Sequence, residues 1–198
     1  MISLEDQNSN IIRYIQAQIA LNDQVAFRKL FDFYSSRLIN FSFVIIKDKD
    51  VAQEIVDDVF IKIWKQRQQV AQINNMRVYL YTAVKNTSLN YLAKKATDVI
   101  TQPFDFLNIE ISDQGNPEKT MVNNELMSLI NTAIEGLPPR CKMIFKLVRQ
   151  DNLKYAEVAE ILNISPNTVD AQMVIAVKRI SEKLKNSLNQ SWVSRTGK

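Results

Sequence analysis

Hydrophobic positions recur at three- and four-residue spacing along most of this chain, the period of helices that bury one face. Between Asp23 and Ile46 the stripe is Phe27, Leu30, Phe31, Tyr34, Leu38 and Phe41. Between Asp50 and Gln68 it is Val51, Ile55, Val59, Phe60, Ile63 and Trp64, and between Arg77 and Lys95 it is Leu80, Val84, Thr87 and Tyr91. The pattern predicts an all-α protein. The periodicity fails from Thr97 to Thr120 (TDVITQPFDFLNIEISDQGNPEKT), which holds Pro103, Gly115 and Pro117 among scattered acids. A break of that length exceeds most connections inside a compact domain and reads as a flexible linker between two small helical domains. Phe104, Phe106, Leu107, Ile109 and Ile111 make it apolar enough to dock in part.

Helical texture returns most informatively at Leu153–Ile180, LKYAEVAEILNISPNTVDAQMVIAVKRI. Two short helices are predicted, Tyr155 to Leu162 and one opening at Pro166. Ser165 suits the cap of the second, and Pro166 suits its first position, where a missing N–H costs nothing. Asn163 suits the left-handed residue of the turn, and Ala159 is small where the helices must approach. This is the arrangement of a helix-turn-helix, whose second helix enters the DNA major groove. At about 100° per residue, Val169, Met173, Ala176, Val177, Ile180 and Leu184 form the stripe expected to be buried. Asn167, Ala171, Val174, Ile175 and Lys178 face away. A solvated helix gains nothing from exposing Val174 and Ile175, whereas a reading helix packs such side chains on thymine methyl groups. An ordinary amphipathic hairpin fits the same stripe.

Composition narrows the chemistry. The 198 residues include one cysteine, Cys141, and no histidine. An internal disulfide is excluded, and the commonest metal ligand and acid–base group is missing. Asp57 and Asp58 are adjacent, so on a helix their side chains diverge and do not converge on a metal. No cofactor and no metal is expected. No apolar run approaches the ~18 residues of a membrane span, and no signal sequence precedes the first helix, so a cytoplasmic protein is expected.

The net charge of +4 is unevenly spread. Residues 1–95 carry 13 basic and 9 acidic groups, residues 96–137 carry 1 and 7, and residues 138–198 carry 11 and 5. Two basic blocks flank an acidic middle, which suits phosphate partners, although lysine-rich surfaces are also common without them. Within the first block, Glu54, Asp57, Asp58 and Ile61 gather opposite the apolar stripe of their helix. Such a face suits docking of a basic helix; a merely solvated face fits as well. The segment Arg77 to Lys95 interleaves Arg77, Tyr79, Tyr81, Lys85, Asn86, Asn90, Tyr91, Lys94 and Lys95. Aromatic, amide and basic side chains in one helix suit unstacked bases on a charged track, and equally a helix with tyrosines inside and lysines in water.

Taken together the blocks resemble the small alternative sigma factors of the extracytoplasmic-function type. DQVAFRKLFDFYSSRLINFSFVIIKDKDVAQEIVDDVFIKIW resembles the opening of their region 2, and RVYLYTAVKNTSLNYLAKK its promoter-melting part. NPEKTMVNNELMSLINTAIEGLPPRCKMIFKLVRQDNLKYAEVAEILNISPNTVDAQ resembles region 4. The resemblance implies a region 2-like domain over 11–96, a linker over 97–120 and a region 4-like domain over 121–190. It implies a factor that binds core RNA polymerase and directs it to promoter DNA, with an anti-sigma factor as a further partner. Glu54, Asp57, Asp58, Phe60 and Ile61 fall where the family docks on polymerase. Arg77, Tyr79, Lys85, Asn86, Asn90, Lys94 and Lys95 fall where the −10 element is opened. Asn167, Thr168, Asp170, Ala171, Gln172, Val174, Ile175 and Lys178 fall where the −35 element is read. The family commonly has Gln at the position of Asp57, and Lys or Arg at those of Asp170, Gln172 and Ile175. A helix-turn-helix regulator that never touches polymerase explains only the C-terminal half. A metal-dependent nuclease explains neither the missing histidine nor the scattered acids.

Overall fold

A computed structural model describes residues 4–97 and 124–196, with side chains described for 10–95 and 127–187. The described residues are helical or connecting, and they divide into two compact units, one on each side of the undescribed stretch. The linker expected over 97–120 lies, apart from Thr97, outside the described residues.

Unit 1 contains α1 (Leu4–Ala20), α2 (Gln24–Ile46), α3 (Lys49–Lys65), α4 (Arg67–Val70) and α5 (Met76–Thr97). Its long helices start where short acids cap them. Asp23 Oδ1 accepts from the amides of Val25 (2.7 Å) and Ala26 (3.1 Å). Asp48 Oδ1 does the same for Asp50 (3.1 Å) and Val51 (3.2 Å). Each cap is worth about 1 kcal/mol. Between them Lys47 takes a left-handed conformation (φ 64°) that ends α2 and turns the chain into α3.

The core lies where α2 meets α3 and α5. Leu30, Leu38 and Ile45 of α2, Val56 of α3, and Leu80, Tyr81 and Val84 of α5 are buried there. Each large apolar side chain removed from water contributes roughly 1.5–3 kcal/mol. Aromatic rings fasten α2 to α3: Phe31 meets Phe60 edge-on at 4.9 Å, and Phe27 meets Trp64 at 4.9 Å. Phe41 packs on Tyr81 at 5.1 Å, and the buried hydroxyls of Ser42 and Ser88 share a 3.0 Å hydrogen bond across α2 and α5. Helix α1 was not among the segments marked by the hydrophobic pattern. Its Ile15 and Ile19 are buried, and its buried Gln16 donates to the carbonyls of Val70 (2.8 Å) and Ile73 (2.9 Å). One side chain thereby satisfies two carbonyls of the turn that leads into α5.

Unit 2 contains α6 (Asn124–Glu135), α7 (Pro139–Arg149), α8 (Tyr155–Leu162) and α9 (Pro166–Thr196). Helix α9 is the spine against which α6, α7 and α8 pack. Leu137, Cys141 and Ala176 form a buried cluster, with Phe145 and Ile180 against it. The Cys141 thiol donates to the Gln172 carbonyl at 3.3 Å. Burial pushes that thiol above its usual pKa, partly offset by the charge of Arg179. Gly136 permits a close approach: the Lys183 ammonium stands 2.7 Å from where a Cβ would be, and donates to the Thr132 carbonyl at 2.8 Å. That carbonyl, near the C-terminal end of α6, also accepts from the Gly136 amide at 3.2 Å, so the ammonium is its second donor. Glu135 accepts from Lys146 (2.7 Å) and from Lys142 (3.0 Å), whose side chain is buried. Burial alone would raise the Glu135 pKa; the hydrogen bonds and charges of Lys146 and Lys142 outweigh it and hold the carboxyl below its usual value.

The α8–α9 hairpin has the bounds expected from its punctuation. Asn163 is left-handed (φ 53°, ψ 50°) and ends α8. Ser165 Oγ accepts from the Thr168 amide at 3.1 Å at the start of α9. Val158, Ala159, Ile161 and Leu162 of α8 pack on a stripe of Val169, Met173 and Ala176. Val177 was expected on that stripe and is instead 49% exposed. The buried seam is narrower than the sequence pattern, and Val177 falls beyond its edge.

Candidate nucleic-acid interface

Three helical faces carry the side chains singled out by sequence. The first is the outer face of α3. Glu54 and Asp58 are exposed, Asp57 is half-buried, and Ile61 stands out into solvent between acids and lysines. Phe60 does not belong to this face. It is buried against Phe27 (6.0 Å) and Phe31 (4.9 Å), because one residue along a helix rotates it from the solvent side into the α2 contact. Of the five side chains expected to dock, the outer face of α3 therefore carries Glu54, Asp57, Asp58 and Ile61, and Phe60 belongs to the core.

The second face is that of α5. Tyr79, Asn86 and Asn90 recur along its exposed side, and Lys94 and Lys95 are exposed near its end. Asn75 Oδ1 accepts from the Val78 amide at 3.2 Å and so fixes the first turn that presents Tyr79. Arg77 and Lys85 are half-buried on the flanks, and burial lowers the Lys85 pKa. Tyr91 is half-buried. Tyr81, part of the same aromatic–basic pattern, is a core residue against Phe41 and presents no ring to a ligand.

The third face is the start of α9. Asn167, Asp170, Ala171, Val174, Ile175 and Lys178 are exposed, with Val174 61% exposed. Thr168 is half-buried, its hydroxyl 2.9 Å from that of Ser165. Gln172 is half-buried too, on the flank whose backbone receives the Cys141 thiol. The face pointing most directly outward is therefore Asn167, Ala171, Val174 and Lys178.

Two halves of one known architecture match these two units separately. The model of sigma-70 region 2 matches residues 30–97, and that of sigma-70 region 4 matches residues 127–180, together more than half of the chain. The chain belongs to the sigma-70 family, as a sigma factor of the extracytoplasmic-function type. It is 26% identical over 174 residues to the ECF RNA polymerase sigma-E factor of Escherichia coli K12, covering 84% of this chain and 91% of that one. It is 21% identical over 194 residues to the RNA polymerase sigma-H factor of Pseudomonas aeruginosa, covering 94% and 98%. Among solved structures it resembles CnrH in complex with the cytosolic domain of CnrY (TM-score 0.56, 16% identity, 89% and 98% covered). It also resembles the sigma factor RpoE in complex with the anti-sigma factor NepR from Bartonella quintana (TM-score 0.57, 18% identity, 80% and 96% covered). At such identities these two structures bear on the fold alone.

An alternative sigma factor binds core RNA polymerase and directs initiation at particular promoters, and that is the function of this chain. A regulator acting without polymerase would leave unit 1 unexplained, and the region 2 match does not favour that reading. Sequence reasoning missed two features of the sigma factor. Gln16 fixes the turn before α5, and its signal, one of two glutamines between Ile15 and Ile19, shows no partner until the chain folds. The exposed Phe33 and Phe43 of α2 were absorbed into a helix read as core.

Proposed function

We propose that the three faces divide the work of the sigma factor. The acids of α3, Glu54, Asp57 and Asp58, with Ile61, dock on core polymerase. Tyr79, Asn86 and Asn90 of α5 engage the −10 element, with Arg77, Lys85, Lys94 and Lys95 on its phosphates. Asn167, Ala171, Val174, Ile175 and Lys178 enter the major groove at the −35 element, with Thr168, Asp170 and Gln172 on its margins. The observation that carries this reading is the helix-turn-helix: its cap, turn and buried seam fix α9 so that aliphatic side chains and Lys178 point outward.

The functional bounds are 11–96 for polymerase docking and −10 recognition, 97–120 for the linker and 121–190 for −35 recognition. The protein binds and positions; the chemistry of RNA synthesis belongs to the polymerase. Its place is the cytoplasm, where polymerase and promoters are, and no described helix is long and apolar enough to cross a membrane. The two structural neighbours were solved with partners, a cytosolic domain of CnrY and the anti-sigma factor NepR, and an anti-sigma factor is the partner assigned here by likeness.

Co-purification with core polymerase followed by transcription from selected promoters tests the reading. A stable complex that starts RNA synthesis at defined sites is expected. Duplex DNA binding with no retention of polymerase would overturn it.

A further inference from the structure

Helix α1 buries one side and holds apolar residues on the other. Ile15, Gln16 and Ile19 are buried within unit 1. Tyr14, Ala17 and Leu21, three and four residues apart, lie directly opposite that stripe at about 100° per residue. Tyr14 is 67% exposed and Leu21 76%, with Ala17 exposed between them. Ile11 is 55% exposed on the flank of this ridge, and Val25, in the first turn of α2, is 65% exposed. The turn between the helices gives Leu21 and Val25 no way to withdraw. Asn22 is left-handed (φ 71°), its amide donates to the Ile19 carbonyl at 2.9 Å, and the Asp23 amide donates to the Gln18 carbonyl at 3.1 Å. This double closure ends α1 rigidly, and the Asp23 carboxylate fixes the next turn by accepting from Val25 and Ala26.

We propose that this ridge is an interface between two copies of the free chain, packed α1 against α1 in antiparallel sense about a two-fold axis. Three features select a second copy as the occupant. The first is self-complementarity. With the axis between Ala17 and Gln18, Tyr14 of each copy lies on Leu21 of the other, and the small Ala17 lets the two helices approach at the centre. Tyr14 and Leu21 stand about 10 Å apart along one helix, so the two ring-on-aliphatic contacts form together. The second is the absence of charge. Asn10, Tyr14, Ala17 and Leu21 offer nothing to DNA phosphates, nor to the basic partner that the acids of α3 suit. Arg13, exposed beside the ridge, is kept about 13 Å from its counterpart, beyond the screening length of about 10 Å. The third is area. The side chains of Ile11, Tyr14, Leu21 and Val25 leave on the order of 300 Å² open to water, the size of patch that marks an interaction site on a monomer. Doubled across the axis and rimmed by polar groups, it stays below about 1,200 Å², the range of transient complexes. The dimer is therefore a concentration-dependent state of the factor free of polymerase, and it goes beyond the division of work among the three faces.

Sedimentation equilibrium of the free full chain, from about 1 to about 300 µM, tests the interface: the mass should rise from that of one chain toward that of two, as for a transient complex. Leu21→Glu changes a side chain that stands mostly in water, and should weaken the dimer at least about tenfold, the loss expected at a central interface anchor. Its circular dichroism spectrum and its retention of core polymerase should match the parent. Ala17→Cys puts a thiol beside the axis and should link two copies on mild oxidation, while Cys141 is buried and does not compete. Arg13→Cys should not link, because a disulfide spans Cα atoms only about 4.4–6.8 Å apart. A single-chain mass at every concentration overturns the proposal. So does a dimer that Leu21→Glu leaves as tight as the parent, or one that links through Arg13→Cys in preference to Ala17→Cys. Loss of polymerase retention in Leu21→Glu, with its spectrum unchanged, would give the ridge to polymerase and overturn the second copy as its occupant.

Discussion

Adjacent residues of α9 should respond to truncation in opposite ways. Met173 is 3% exposed and lies on the seam against α8, whereas Val174 is 61% exposed on the proposed reading face. Val174→Ala removes two carbons, each worth about 0.8 kcal/mol when fully buried. If DNA covers what solvent now touches, the loss is about three fifths of that sum, near 1 kcal/mol, or roughly fivefold in affinity. Stability should move by less than about 0.5 kcal/mol, as for other exposed positions. Met173→Ala should cost about 2–5 kcal/mol of stability through the cavity it leaves in unit 2. Val177→Ala, on the flank, is the internal control and should change neither. Anisotropy of a labelled −35 duplex titrated with holoenzyme gives the affinities, and amide exchange across α8 and α9 gives the stability of unit 2. A normal affinity for Val174→Ala together with a fivefold loss for Val177→Ala would show that the reading face is rotated. Early opening of unit 2 in Val174→Ala would show that Val174 is core.

Glu54→Lys with Asp58→Lys places cations on two exposed positions of α3 and should abolish retention of core polymerase while leaving the circular dichroism spectrum unchanged. Normal retention would remove α3 from docking. Lys94→Ala with Lys95→Ala should weaken binding to all promoters alike and reduce the salt slope by about one unit per lost phosphate contact; a selective loss at one −10 sequence would contradict a phosphate role. Glu135 is held below its unfolded value, so its contribution is fully present above the ordinary carboxylate pKa of 4.5 and fades as pH falls through the lower folded value. Acid unfolding of unit 2 should therefore show a carboxylate limb that Glu135→Gln removes, and an unchanged acid profile in that variant would discount the Lys142 and Lys146 bonds.

The helix-turn-helix was legible because its instructions are local. Asn163, Ser165 and Pro166 each act on backbone within three residues, so the bounds of α8 and the start of α9 follow from chain order alone. The aromatic seam of α2 was legible for the same reason, through Leu30, Tyr34, Leu38 and Phe41. Other features depend on partners far along the chain. Gln16 meets carbonyls more than fifty residues away, and nothing near it announces them. Phe60 and Ile61 are neighbours in sequence, yet one is locked against Phe31 and the other stands in water, a distinction set by where α2 crosses α3. Val177 and Gln172 sit at the two margins of a seam whose width depends on how closely α7 and α8 approach α9. Periodicity locates the centre of a buried stripe well and its edges poorly.

The single thiol of the chain gives unit 2 an internal clock. Cys141 is sealed beneath α9, its proton held on by burial and its hydrogen bond directed at the Gln172 carbonyl. An alkylating reagent must wait until α7 and α9 part, so the rate of labelling counts openings of the packing that holds the proposed reading face. DNA that binds only the closed form slows those openings by one plus the ratio of its free concentration to its dissociation constant, about elevenfold at a tenfold excess. A promoter fragment can thus be ranked by how long it keeps one sulfur unmodified, with no label on the DNA and no polymerase in the tube.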